Sequence, residues 1–143
     1  MTEAVDKVKL SQWDALLLES LRGLGWTDEA LLNIAAAGEL PADDSDFHFD
    51  YSQLAALAAE QPAIYRQAVT QGYQIKYNTI GGIRSWILVA FGREPQVERE
   101  EGKEAVEIAL TEAEQQRLQG VLSIGWRLVP AAGGVSRIEP VRN

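Results

Sequence analysis

Between residues 73 and 93 the chain reads YQIKYNTIGGIRSWILVAFGR, a stretch without a single Asp or Glu. Asn78 and Thr79 are helix-starting residue types. A helix opening there leaves backbone amides free at its N-terminus, where anions are favoured. Gly81 and Gly82 carry no Cβ and let a ligand approach the backbone closely. Lys76, just before this turn, and Arg84, one turn into the helix, add cationic donors. Tyr73, Tyr77 and Trp86 offer surfaces on which a ring can stack. Lys76, Asn78, Thr79, Gly81, Gly82 and Arg84 therefore form the candidate anion or ligand site. It would suit a phosphate-bearing ligand, a single nucleic-acid strand or an acidic protein segment. The Gly-Gly pair matches no phosphate-loop fingerprint.

Charge distribution supplies a competing account of the same stretch. The chain carries a formal net charge of -8, but residues 1–60 hold a net -9, residues 61–93 a net +4 and residues 94–143 a net -3. An acid-free segment packed against the acidic first third would be attracted to it, with Arg84 paired to an acid such as Asp28 or Glu29. The same attraction between two copies would give a homo-oligomer. Net negative charge repels nucleic acid at long range, so only residues 61–93 are suited to meeting a phosphate.

Other constellations carry less. In "DDSDFHFD", residues 43–50, Asp44, Asp46, His48 and Asp50 alternate, as oxygen ligands of Ca²⁺ do. The glycine of the sharp turn is missing, and the twelfth position from Asp44 is Ala55 rather than Glu, so the segment reads as a solvated acidic loop and no metal site is assigned. His48 is the only histidine and the chain has no Cys, which excludes disulfides, thiolate sites and a multi-histidine zinc site within one chain. No serine sits in a nucleophile elbow. Two N-terminal helices joined by "GLGWT" resemble a DNA-reading pair in spacing only, because Asp28 and Glu29 would face the phosphates. No cofactor is implied, and a non-enzymatic protein is expected. Aromatic residues on an acidic surface are natural interface anchors; Trp26, Phe47, Phe49, Tyr51 and Trp126, with Arg93 as a cationic contact, are the candidates.

The elements that must hold these residues follow from caps and periodicity. Ser11 caps a helix with Trp13, Leu17 and Leu21 at helical spacing, ended at Gly23 or Gly25. Thr27 caps a second helix that runs to Gly38. A third spans Ser52–Glu60, and Pro62 opens a fourth that stops at Gly72. Tyr73, Ile75 and Tyr77 alternate with Gln74 and Lys76 as in a short strand. Helix five presents Ile80, Ile83, Ile87, Ala90 and Phe91 to the core and ends at Gly92. Residues 96–103 read as a charged loop, "AVEIALT" as a strand, Thr111 as the cap of helix six, and "GWRLVP" as a closing strand.

The expected fold is α+β and mainly α: a compact body of about six helices with a small C-terminal sheet of two or three strands. Residues 1–130 form a single globular domain, and residues 131–143 a mobile tail. With 143 residues and 46% hydrophobic content, a core needs no staple. The longest apolar run is far too short for a membrane span, and a cytoplasmic protein without membrane contact is expected. The functional expectation is a small acidic regulator, inhibitor or adaptor of bacterial or phage type, working on a protein partner. The alternative is a nucleic-acid or nucleotide-phosphate module using residues 61–93.

Overall fold

A computed structural model describes residues 8–36, 40 and 49–141. The chain is a mixed α+β protein, with six α-helices and two sheets among these residues. The order is β1 (Val8–Leu10), α1 (Gln12–Gly23), α2 (Asp28–Leu32), a 3-10 turn (Ile34–Ala36), α3 (Ser52–Glu60), α4 (Pro62–Gln71), β2 (Tyr73–Ile75) and α5 (Ile80–Phe91), followed by β3 (Gln96–Glu98), β4 (Ala105–Ile108), α6 (Glu112–Val121), β5 (Trp126–Pro130), a second 3-10 turn (Ala132–Gly134) and β6 (Ser136–Pro140).

Local chemistry starts the helices where expected. The hydroxyls of Ser11, Thr27, Thr79 and Thr111 accept from the amides of Asp14, Ala30, Gly82 and Glu114, at 3.0, 3.1, 2.9 and 3.1 Å. Each bond satisfies an orphan donor and is worth about 1 kcal/mol. Thr111 and Glu114 complete a reciprocal capping box. Gly92 closes α5 in the left-handed region at φ 72°.

Helix α1 runs through the centre. Ala15, Leu16, Leu17, Leu18 and Glu19 are all buried in succession, and Leu21 follows. A helix apolar on every side is one covered on every side. Its main partner is α5, which turns Ile83, Trp86 and Ile87 inward.

The one acid in that buried run is held by its neighbours. Glu19 Oε2 accepts from the Tyr73 hydroxyl at 2.6 Å and from Arg117 Nη2 at 2.6 Å. The Tyr73 oxygen accepts in turn from Trp86 Nε1 at 2.8 Å, and the Arg117 guanidinium lies 5.3 Å from the centre of the Trp86 ring. Burial first, then the Glu19 charge, push the Tyr73 phenol well above its usual value of 10. One carboxylate thus joins α1, β2, α5 and α6.

Several expectations about the sheets need correction. The short strand read over Tyr73–Tyr77 ends at Ile75. It pairs in parallel with β1, with Val8, Lys9 and Leu10 opposite Tyr73, Gln74 and Ile75. Leu10 therefore belongs to a strand. The C-terminal sheet is antiparallel and has four strands, ordered β3-β4-β6-β5, instead of two or three. Gln96–Glu98, expected as loop, forms its outer strand. Ser136–Pro140, within the segment 131–143 expected as a tail beyond the domain, forms β6 between β4 and β5, with Ile138 fully buried. Its alternation of Ser136, Ile138 and Pro140 with Arg137 and Glu139 suits a strand with one dry face. On the wet face Arg137 reaches Glu139 at 2.9 Å and Glu107 at 3.4 Å, and Arg127 reaches Glu139 at 2.7 Å. The second helix is also shorter than expected, ending at Leu32 before the 3-10 turn.

Removing the buried carboxylate leaves both Arg117 and Tyr73 without their acceptor. Glu19→Ala is expected to cost about 3–5 kcal/mol, and Tyr73→Phe about 1–3 kcal/mol. Urea unfolding followed by circular dichroism measures both. Removal of the exposed Arg84–Glu94 pair should move the midpoint far less.

Candidate binding cleft

In the parallel β1–β2 pair, side chains alternate between the two faces. Leu10 and Ile75 sit opposite each other in the core, each no more than 2% exposed. Lys9 and Gln74 are opposite each other on the outer face, and Lys76 follows two residues after Gln74. The Lys76 amide still bonds Leu10 O, at 2.9 Å, so the ladder continues to it. The outer face of this small sheet is thus a floor with two lysines. No acid pairs with either lysine among the described residues.

The wall comes from the turn after α6. Gln74 Nε2 donates to Leu122 O at 2.9 Å. Asn78 clamps Ser123 twice: its amide donates to Ser123 Oγ at 3.0 Å, and its Oδ1 accepts the Ser123 amide at 2.6 Å. Gly125, at φ 106°, turns the chain and accepts from the Val141 amide at 2.7 Å. These bonds hold the turn that carries Ile124, which lines the same cleft as Tyr77. Ile124 is 87% exposed and Tyr77 83%, while Val141 is half-exposed. An open cleft of about 390 Å³ lies between Lys9, Gln74, Ile75, Lys76, Tyr77 and Ile124. Clusters of exposed large apolar side chains beside a cleft mark interaction sites.

The candidate anion site does not assemble. Lys76 alone of the six faces this cleft. Asn78 spends its side chain on Ser123 and on Gln12, whose Oε1 accepts from Asn78 Nδ2 at 3.0 Å. Thr79 caps α5 and takes the Gly82 amide. Gly82 serves packing rather than a ligand: a methyl group there would lie 2.5 Å from Gln12 Oε1, so its bare Cα admits the start of α1. Gly81 is the more open of the two, with the Arg99 guanidinium as the nearest group at 3.9 Å. Arg84 grips Glu94 through two bonds, at 2.8 and 2.5 Å, rather than Asp28 or Glu29. Tyr73 and Trp86 are buried and offer no stacking surface.

The interface anchors fare similarly. Phe49 is buried, edge-on to Trp13 at 5.1 Å. Tyr51 is buried, with its hydroxyl 2.6 Å from Ser20 Oγ. Both contact α1, through Trp13 and Ser20, and neither is exposed as an interface anchor would be. Trp26 and Trp126 are half-buried against the core. Arg93 joins α5 to α6, donating to Ala109 O at 2.7 Å and to Glu114 Oε1 at 2.5 Å. Phe47, Asp44, Asp46 and His48 lie outside the described residues. Asp50 caps Ser52, accepting its amide and hydroxyl at 3.1 and 2.6 Å.

Among the described residues, the ion pairs of the acid-free stretch run to the C-terminal half, not to the acidic first third. That first third draws on Arg117 for Glu19 and on its own Arg22 for Asp28, the latter at 3.6 Å. Sequence reasoning missed Lys9, Gln74, Ile124 and Val141 as site residues. Ile124 carried a readable signal, a large apolar side chain between Ser123 and Gly125 in a turn. No helix among the described residues is long and apolar enough to cross a membrane. No protein-family model, curated protein or solved structure matches the chain.

Two outcomes follow. Gly82→Ala forces Gln12 off Asn78 in the wild type, which offsets the gain in helix propensity. With Gln12→Ala already present, the same change should stabilise by about 0.5–1 kcal/mol. A double-mutant cycle by urea unfolding reads the difference. The Arg84 bonds hold the Glu94 carboxyl below its usual 4.5. A group depressed on folding stabilises above that value, and the contribution is lost as pH falls through the folded one. Glu94→Gln should therefore flatten the loss of stability below pH 4.5, seen in thermal melts across acid pH.

Proposed function

We propose that this protein is a non-enzymatic regulator, inhibitor or adaptor of a bacterial or phage cytoplasm, acting through protein–protein contact at the Lys9–Tyr77–Ile124 cleft. The observation that carries the reading is the pairing of two lysines, without acid partners among the described residues, with two large side chains more than four-fifths exposed. Exposing Tyr77 and Ile124 forgoes about 1.5–3 kcal/mol of burial for each, which a partner surface would recover. Tyr is also among the residue types that dominate interface energies.

A nucleic-acid or nucleotide-phosphate role is the second reading, favoured by Lys76 standing beside the open ring of Tyr77. It is weakened by the commitments of Arg84 and Arg93, which leave Arg66 and Lys76 as the stretch's cations without an ion pair among the described residues.

A pull-down from the source cell, with nucleic acid digested in a parallel sample, separates the two. The expected result is a protein partner that survives digestion and is lost with the Tyr77→Ser/Ile124→Ser double variant, whose circular dichroism stays unchanged. Capture that digestion abolishes, or that the double variant leaves intact, would overturn the reading.

A further inference from the structure

The cleft carries enough geometry to state what kind of segment it fits, an inference that rests on the protein-contact reading above. Lys9 and Lys76 stand on adjacent strands, two residues apart in register. A strand spacing of about 4.8 Å and a two-residue rise of about 6.6 Å put their Cα atoms roughly 8 Å apart. That is about a Debye length at physiological salt, so the two ammonium groups repel each other, with no acid between them among the described residues. An anionic partner relieves this repulsion as well as adding attraction.

In an extended segment, residues i and i+2 point to the same side, about 6.6 Å apart. The flexible four-carbon stems of the lysines absorb the remaining difference. The next residue on the same side, i+4 or i-2, then falls beyond the lysine pair. Tyr77 follows Lys76 directly, and Ile124 flanks it as the cleft wall. We propose that the cleft binds an extended segment of a partner protein bearing two carboxylates at i and i+2, which meet Lys9 and Lys76, and an apolar side chain on the same face, which covers Tyr77 and Ile124.

Charge selects this occupant over a nucleic-acid strand. Two carboxylates match the two lysines. A strand carries one phosphate per nucleotide, and those beyond the cleft would lie over a chain of net charge -8.

The test titrates the full chain with fluorescently labelled five-residue peptides and reads anisotropy. Asp-Ser-Asp-Ser-Leu should bind at least tenfold more tightly than Asp-Asp-Ser-Ser-Leu, whose adjacent carboxylates point to opposite sides. Replacing both Asp by Lys should abolish binding. Lys9→Glu should weaken the first peptide at least tenfold, Lys9→Gln less so, and raised salt should weaken it in the wild type. Tyr77→Ser/Ile124→Ser should act on the leucine peptide and leave an alanine version nearly unchanged. Equal binding of both Asp spacings, retained binding of the Lys peptide, or stronger binding of a labelled ten-residue oligothymidine would overturn the proposal. So would self-association of the wild type that the Tyr77→Ser/Ile124→Ser variant abolishes, measured by light scattering. If peptides fail while cellular capture still depends on Tyr77 and Ile124, the carboxylate pattern falls and the protein-contact reading stands. If capture is also insensitive, both fall.

Discussion

The arrangement depends on a carboxylate in the middle of a hydrophobic helix. Glu19 lies in α1 among Leu16, Leu17, Leu18 and Leu21, where a bare charge would cost several kcal/mol. It is tolerable there because Tyr73 and Arg117 both donate to it, and Trp86 steadies Tyr73 from the far side. Those three residues belong to β2, α5 and α6, so the demand of one anion fixes how three separate elements meet the central helix. Apolar packing alone would permit many rotations of α5 against α1. An acceptor with two required donors permits few, because each misplacement strands a buried polar group.

That constraint links core and cleft. Tyr73 turns inward to Glu19, so its neighbour Gln74 must turn outward. Lys76 follows Gln74 on the same side, and register with β1 adds Lys9. The two lysines are therefore brought together by an inward tyrosine. Asn78 then turns the chain into α5 and at the same time secures Ser123, which positions Ile124. A single run of seven residues, 73–79, serves the core, the floor of the cleft, its wall and a helix cap in succession.

This division explains what could be read from the sequence. The caps at Ser11, Thr27, Thr79 and Thr111 were legible because a cap is settled within four residues. The dry face of α5, through Ile83 and Ile87, was legible because periodicity is local too. Strands β1 and β3 were not: β1 exists only by virtue of its distant partner β2, and β3 lies in a charged run that hides its pairing with β4. The destination of Arg84 was misjudged for the same reason. Glu94 is ten residues away along the chain, and composition ranks acids by number, not by place. Gly82 was assigned to a ligand when it admits a helix, since a missing Cβ signals close approach without saying of what. The true neighbours of Lys76 in the cleft, Lys9 and Ile124, come from opposite ends of the chain.

The latch between Val141 and Gly125 sets an order of events during synthesis. Lys9, Lys76 and Tyr77 leave the ribosome early, and domains begin to fold from their N-terminal portions. The wall bearing Ile124 is held by a residue some sixteen positions further on, just past the inner strand β6. A nascent chain halted before residue 141 has the cationic floor but lacks one of the bonds that hold the wall, the one from Val141 to Gly125. The full set of bonds around the Ile124 turn is thus made only in chains translated past β6.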